Sequence, residues 1–161
     1  MQIRQATIED IPEILVMYDY SRKIMAENHN PNQWEPSYPG REDAMKDIMA
    51  GNYYICEVNG EAVGAFAFIV GEDPTYNYIE DGAWSRDDTY GTIHRLTSNG
   101  KAKGVAAACF DFCRKQLPHL RADTHEDNKI VQYALERFGF RRCGIIYVRN
   151  HSPRLAYEYV E

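Results

Sequence analysis

A short loop of small and basic residues is the part of this chain best suited to chemistry. Residues 99–104 read Asn-Gly-Lys-Ala-Lys-Gly and lie between a strand-like run, Gly91 to Thr97, and an amphipathic run, Val105 to Gln116. A small-residue turn that opens a helix points backbone N–H groups outward at the positive end of the helix dipole, which suits pyrophosphate. The same residue types fill ordinary surface turns, so the loop alone leaves both interpretations open.

Titratable side chains near this loop are candidates for proton transfer. His94 lies on the preceding strand, and an unperturbed imidazole pKa near 6.5 suits a general base at neutral pH, although a structural histidine is the commoner case. Glu80 and Asp81, from a long polar loop, are rival candidates or plain solvated carboxylates, while Asp123 and His125 close the fifth strand and could orient an amine. No His-x-x-x-His or clustered cysteine spacing is present, so no metal site is expected.

Four aromatic residues in irregular segments could wall a pocket. They are Trp34, Tyr38, Tyr78 and Trp84. Aromatic rings supply apolar area and attract ammonium groups, so these residues are candidates for binding an acceptor amine; they could equally anchor loops.

The elements that must position these residues follow from periodicity and turn signals. The predicted helices run from Ile11 to about Met25, Asp43 to Met49, Val105 to Gln116 and Asn128 to Phe138. The predicted strands are Ile3–Ala6, Tyr53–Val58, Glu61–Val70, Gly91–Thr97, Leu120–Thr124, Gly144–Arg149 and Ala156–Val160. Two irregular segments, Asn28–Gly40 and Gly71–Asp88, are a candidate lid and a candidate functional loop. This order, β-α-α-β-β-β-α-β-α-β-β, predicts an α/β domain with a mixed sheet.

Composition bounds the class of protein. The 161 residues fit one domain, and a net charge of −6 with a pI near 5.4 argues against nucleic acid or an acidic membrane surface as the main partner. The four cysteines form no CxxC pair and are expected to be core thiols in a reducing cytoplasm. Neither an apolar signal region nor a run long enough to span a membrane is evident.

The element order, together with three local features, resembles the GCN5-related N-acetyltransferase (GNAT) superfamily over nearly the whole chain. The features are the opening Ile3 to Pro12, the loop Asn99 to Gly104, and the segment Asn128 to Phe140 with its Gly139-Phe140 end. The resemblance implies a mostly antiparallel sheet of six to seven strands with about four helices. It also implies that the loop amides bind the pyrophosphate of acetyl-CoA and that the fourth strand pairs with the pantetheine arm. The implied cofactor-binding residues are Leu96, Thr97, Asn99, Gly100, Lys101, Ala102, Lys103, Gly104, Val105 and Asn128.

The chain departs from the family pattern at two places. Asn99 stands where Gln or Arg is usual and Ala102 where Gly is usual, but backbone donors survive both changes. Seven residues after Asn128, many members carry a tyrosine that protonates the departing thiolate, and this chain has Leu135. Tyr133 lies about 200° away around a regular helix and cannot take the same direction.

These observations lead us to expect an acetyl-CoA-dependent N-acetyltransferase that acts by direct transfer in a ternary complex, with His94 or Glu80 as the base. The missing tyrosine motivates an alternative, a non-catalytic module that binds acyl-CoA. A small-molecule or peptide amine is the expected acceptor. The C-terminal hairpin offers an edge through which a homodimer could form.

Overall fold

The computed structural model describes residues 1–161 and places seven strands in one twisted sheet. The strands are β1 (Gln2–Gln5), β2 (Tyr53–Val58), β3 (Glu61–Val70), β4 (Gly91–Ser98), β5 (His119–Thr124), β6 (Arg141–Tyr147) and β7 (Pro153–Val160). Their order across the sheet is β1-β2-β3-β4-β5-β7-β6, and only the β4–β5 pair is parallel. The mixed, mostly antiparallel sheet predicted from the sequence is therefore confirmed.

Four α-helices cover the sheet. They are α1 (Ile11–Glu27), α2 (Arg41–Met49), α3 (Val105–Gln116) and α4 (Lys129–Phe138), and two short 3-10 turns lie at Ile8–Asp10 and Pro74–Tyr76. One core packs α3 and α4 against the sheet around Phe66, Phe110 and Tyr157, and a second packs α1 and α2 against β2 and β3. None of the helices is long and apolar enough to cross a membrane.

Local signals explain where the helices begin and end. The Thr7 backbone N–H donates to the Asp10 carboxylate at 2.7 Å, which caps the short 3-10 turn ahead of α1. The Asn128 side chain accepts from the Val131 N–H at 3.1 Å and caps α4, and Gly139, at a φ of 120°, ends it.

The C-terminal strands are longer than predicted. β6 runs from Arg141 to Tyr147 rather than from Gly144 to Arg149, and β7 begins at Pro153 rather than Ala156. Proline is tolerated as the first residue of a strand because its missing N–H is not needed there. The first residues of β6 are exposed and polar, so they lack the alternation of apolar residues that predicts a strand. β6 forms one edge of the sheet, so the homodimer through this hairpin remains a prediction.

Candidate active site

A cleft opens where β4 and β5 diverge. The two strands are paired only at Gly91–Leu120 and Thr92–Arg121. Farther along β4 the register with β3 shifts, so that Arg95 and Leu96 together oppose one residue. Arg95 has a φ of 52°, as expected for a bulge that bends the strand. The bend turns the end of β4 away from β5 and leaves room for ligands between them.

Two cavities meet in this cleft. One, of about 510 Å³, lies beneath the segments 28–40 and 71–90 and is lined by residues of β4, β5 and β7; we call it the acceptor cavity. The other, of about 480 Å³, lies between α1 and the N-terminal ends of α3 and α4; we call it the cofactor cavity. Both cavities are lined by Met25, Leu96, Asn128 and Val131, so molecules in the two cavities would meet at these residues.

The loop 99–104 leads into α3 beside the cofactor cavity. Six successive backbone N–H groups, from Ala102 to Ala107, donate no hydrogen bond to any protein acceptor. Lys101 and Lys103 are exposed and have no carboxylate within 4.0 Å. Unpaired amides and free cations at the start of a helix are the features that bind phosphate.

Asn99 supports the loop from within. Its side-chain Nδ2 donates to the carbonyl of Ala62 at 3.0 Å, and its Oδ1 accepts from the Lys101 N–H at 3.0 Å. The side chain is therefore directed toward β3 and fixes the turn. Asn99 is shorter than the Gln or Arg usual at this position, and it bonds to the sheet instead of extending over the loop.

Two glycines allow the loop its shape. Gly100 has a φ of 75°, and a Cβ added there would lie 2.2 Å from Tyr20 Oη. Gly104 has a φ of 82°, but a Cβ there would meet no atom within 4 Å. Gly100 thus serves both a left-handed turn and a close approach to α1, whereas Gly104 serves the turn alone.

The other predicted cofactor residues also lie at this junction. Leu96 lines both cavities, and Val105 is the first residue of α3 on the wall of the cofactor cavity. The Thr97 hydroxyl donates to the carbonyl of Met17 at 2.9 Å and lies 2.5 Å from Ser21 Oγ, which ties β4 to α1. Thr97 therefore lines the cavity with its hydroxyl already bonded.

His94 lies in the acceptor cavity beside a carboxylate. Its Nε2 is 3.0 Å from Asp73 Oδ2, and both side chains are mostly buried. Burial opposes ionisation of Asp73, but hydrogen bonds from His94 and Thr75 outweigh it and lower the pKa of Asp73 to about 2. The ionised carboxylate holds the Nε2 proton and leaves Nδ1 as the acceptor.

Asp123 provides a second carboxylate in the same cavity. Its Oδ2 accepts from Tyr76 Oη at 2.7 Å, and burial together with Asp123 raises the pKa of Tyr76 well above its usual value. Tyr76 is fully buried and packs against Tyr90 and Trp84. Asp123 is thus held in place from the loop side, with its charge facing the cavity.

Trp34 and Tyr38 line the acceptor cavity, as their candidate role requires. Trp34 packs edge-on against Tyr18 with ring centroids 5.8 Å apart. Tyr38 Oη accepts from Arg95 Nη1 at 3.1 Å, and the same guanidinium pairs with the buried Asp47 at 2.5 Å. Segment 28–40 is therefore attached to the bulge of β4.

Five other sequence candidates do not line the acceptor cavity. Glu80 accepts from Tyr147 and, at 2.9 Å, from Tyr78 on the protein surface, and Asp81 is exposed in the adjoining turn. Trp84 lies behind Tyr76, donates to its carbonyl at 2.8 Å and stacks under Arg121. His125 accepts from the Asp127 N–H at 3.0 Å in a turn before α4. Glu80, Trp84 and His125 therefore make contacts within or between loops, and Asp81 faces solvent.

The structure confirms where residue 135 points. Leu135 is buried and lines the acceptor cavity, while Tyr133 is exposed with Arg137 stacked over its ring at 6.0 Å. The direction that would carry the thiolate acid therefore ends in an apolar side chain.

Sequence reasoning missed several residues that shape the site, among them Asp73, Tyr76, Gln33 and Arg154. Asp73 and Tyr76 lie in the long loop and act on residues 21 and 47 positions away, which no local pattern reveals. Gln33 Oε1 accepts from Asn128 Nδ2 at 2.8 Å and joins the candidate lid to α4. The one usable signal was the Asp-Pro-Thr turn at 73–75, which is typical of a helix cap.

Solved structures share this fold. An acetyltransferase of the GNAT family from Streptococcus agalactiae superposes with a TM-score of 0.90 at 29% identity, covering 99% of this chain and 95% of that one. A GNAT-family acetyltransferase from Listeria monocytogenes gives 0.69 at 21% identity, with 98% and 92% covered. AAC(6')-Ib, in complex with ribostamycin and coenzyme A, gives 0.65 at 18% identity, with 99% and 93% covered. The chain matches no protein-family model, and no curated sequence matches it.

The fold matches that of GNAT-family acetyltransferases. The match to the streptococcal protein extends over essentially the whole chain at 29% identity. The chain therefore belongs to the GNAT superfamily, and its relatives support an acyltransferase activity. No group of three or more His, Cys, Asp or Glu side chains is placed to hold a metal ion.

Proposed function

We propose that this protein transfers the acetyl group of acetyl-CoA to a primary amine by direct attack in a ternary complex. The observation that carries the proposal is the cleft between β4 and β5, which joins a row of six unpaired amides at one end to the His94–Asp73 pair at the other. A ligand with a pyrophosphate and a long arm fits the first feature. An amine that must lose a proton fits the second.

Phosphate binding would use the start of α3. The amides from Ala102 to Ala107 donate to phosphate oxygens, and Lys101 and Lys103 add positive charge at the rim. The pantetheine arm would then run along the cofactor cavity past Leu96 and Asn128 toward the point where the two cavities meet. The bulge of β4 at Arg95 and Leu96 lies at that point, where the oxyanion would need a donor.

His94 would accept the proton. The amine nitrogen forms a bond to the acetyl carbon, the carbon–sulfur bond breaks, and the amine's proton moves to His94 Nδ1. Asp73 holds the opposite ring nitrogen and stabilises the resulting imidazolium. The thiolate takes its proton from water or from a group other than Leu135, whose side chain has none to give.

The test is CoA binding followed by turnover. Thermal-shift titration with CoA and acetyl-CoA measures binding, and release of the free thiol in the presence of an amine panel measures transfer. His94→Ala should lower kcat by about 10²- to 10⁴-fold, the range for a general base, while CoA still binds. His151→Asn, in an exposed turn that already has a φ of 64°, is the matched control.

Other outcomes point elsewhere. CoA binding without transfer to any amine would favour the non-catalytic acyl-CoA-binding alternative, which the apolar Leu135 motivates. No stabilisation by millimolar CoA would overturn both. Full activity in His94→Ala together with loss in Glu80→Gln would remove His94 as the base.

A further inference from the structure

Arg154 is a buried cation on the wall of the acceptor cavity. The residue is only 7% exposed, and its guanidinium donates to the carbonyls of Pro153 at 2.8 Å and Gln33 at 3.1 Å. No carboxylate lies within 4.0 Å of it. Burial lowers the pKa of Arg154 despite the nearby charge of Asp123. Buried charges in proteins are normally paired, so Arg154 lacks an anion.

Every other buried charge in this cavity has a direct partner. Asp73 is bonded to His94, and Arg95 is paired with Asp47. Asp123 is half-buried and accepts a hydrogen bond from Tyr76 Oη, and the remaining charged residues of the wall, Glu35 and Arg149, are exposed at the rim. Arg154 is therefore the one buried cation of the cavity that contacts no carboxylate, although the charge of Asp123 acts on it from beyond 4.0 Å.

The charges are ordered across the sheet. β5 lies between β4 and β7, so Asp123 on β5 separates His94 on β4 from Arg154 on β7. Asp123 is in register with Ala156, two residues from Arg154, and side chains two apart share a face of the sheet. One side of the cavity thus presents carboxylates and a base, and the other side presents a guanidinium.

We propose that the acceptor is a free amino acid, whose carboxylate pairs with Arg154 while its amine lies toward Asp123 and the His94–Asp73 pair. This inference rests on the proposed function and names the substrate class of the same site. An ammonium is attracted by the two carboxylates, and the carboxylate of the same amino acid, one carbon away, is attracted by the guanidinium on the opposite side of the cavity. The complex would supply the anion that Arg154 lacks.

The size of the cavity favours a free amino acid over a peptide. About 510 Å³ is near the lower part of the ~300–1,000 Å³ range of ligand pockets, and the same space must also admit the acyl group. Segment 28–40 covers it, tied down by the Arg154 bond to Gln33 and by the Asn128 bond to the same residue. The apolar part of the wall, with Trp34, Ile93 and Val148, suits an amino acid with an apolar side chain.

The experiment compares matched acceptors that differ only at the carboxylate. L-leucine, L-leucinamide and 3-methylbutylamine form one set, and L-phenylalanine, L-phenylalaninamide and phenethylamine form another. We expect kcat/KM to be at least about tenfold higher for the acid than for the amide, since a hydrogen bond to a charged group is worth about that factor or more. Arg154→Gln should abolish this preference by lowering the value for the acid while leaving the amide and the amine nearly unchanged. Arg154→Lys should retain part of it.

Controls separate carboxylate binding from folding. Arg142→Gln removes one exposed positive charge on β6 that lines neither cavity, and it should keep the full preference. Thermal unfolding of each variant reports whether the bond between Arg154 and Gln33 was needed for stability alone. A purely structural role would lower the values for acid, amide and amine together.

The outcomes distinguish this inference from the proposed function. Equal kcat/KM for acid, amide and amine, or an unchanged preference in Arg154→Gln, would overturn the amino-acid assignment while leaving an amine acetyltransferase. A marked preference for L-alanyl-L-leucine over L-leucine would assign the site to peptides and overturn it as well. If no acceptor is acetylated, thermal shifts with N-acetyl-L-leucine and N-acetyl-L-leucinamide still decide. Stabilisation by the acid alone, lost in Arg154→Gln, would support the carboxylate site even though the proposed turnover had failed.

Discussion

Gly100 and Gly104 allow the cofactor loop to be tested with a matched pair of substitutions. Both residues have a left-handed backbone, with φ values of 75° and 82°. A Cβ at Gly100 would lie 2.2 Å from Tyr20 Oη, whereas a Cβ at Gly104 would contact nothing within 4 Å. Alanine therefore introduces the same backbone strain at both sites and a collision at only one.

The strain alone gives a magnitude. A residue other than glycine in the left-handed region costs about 1–2 kcal/mol, and 1.4 kcal/mol corresponds to a factor of ten in an equilibrium constant. If this cost is borne by the conformation that binds phosphate, Gly104→Ala should weaken CoA binding by about 5- to 30-fold. Gly100→Ala should weaken it further, because Tyr20 or the loop must also move.

Isothermal titration with CoA, at equal ionic strength for each variant, measures both effects. In a Tyr20→Leu protein the collision with the new Cβ is absent. Adding Gly100→Ala to that protein should therefore weaken CoA binding only by the factor that Gly104→Ala causes in the wild-type protein. Wild-type affinity in Gly100→Ala would refute the placement of CoA phosphates on this loop. Equal affinities for the two single variants would refute the role of the Tyr20 contact.

Three further outcomes follow from the described contacts. Asp73→Asn should lower the free energy of unfolding at pH 7 by about 2 kcal/mol, since the pKa of this carboxyl falls from 3.8 to about 2 on folding. When the stability of the wild-type protein is measured against pH, this contribution should be present above pH 4 and lost as the pH falls toward 2. Asp47→Asn leaves the buried Arg95 without its partner and should destabilise the protein by about 3–5 kcal/mol in urea unfolding; a loss under 1 kcal/mol would contradict the pairing. Mass spectrometry after iodoacetamide treatment at pH 7.5 should find Cys143 as the only modified cysteine of the folded protein. Its modification should be slow, because burial and Glu158 raise the pKa of that thiol to about 11. Rapid modification of more than one cysteine would contradict the burial of the other three thiols.

Periodicity and capping were enough to predict most of the fold. α3 spans Val105–Gln116 and the β2–β3 hairpin joins Tyr53–Val58 to Glu61–Val70, as the sequence predicted, because these elements carry their signals within a few residues. α4 likewise begins after its Asn128 cap. The placement of His94 on β4 followed from the same local pattern.

The acceptor side of the site could not be predicted in the same way. Asp73 reaches His94 across 21 residues, and Arg154 reaches Gln33 across 121. Such contacts depend on how the irregular segments 28–40 and 71–90 pack against the sheet, and neither segment has a periodic pattern of apolar residues. In the sequence, Glu80 and Trp84 of the long loop resemble the polar and aromatic residues that line the acceptor cavity. In the structure they bond to other parts of the protein and lie outside that cavity.

Because β4 diverges from β5, the two halves of the cleft are built from different parts of the chain and differ in how well they can tolerate substitutions. The cofactor half is built from the start of α3 and from β4, whose bonds to α1 and β3 are part of the main scaffold. The acceptor half is built largely from segments 28–40 and 71–90 and the turn before β7, which add side chains to the sheet without completing its ladder. Substitutions in those three segments can therefore reshape the acceptor cavity while the start of α3 and the end of β4 keep their positions, so that a change in what this cavity admits requires no change in the other half of the cleft.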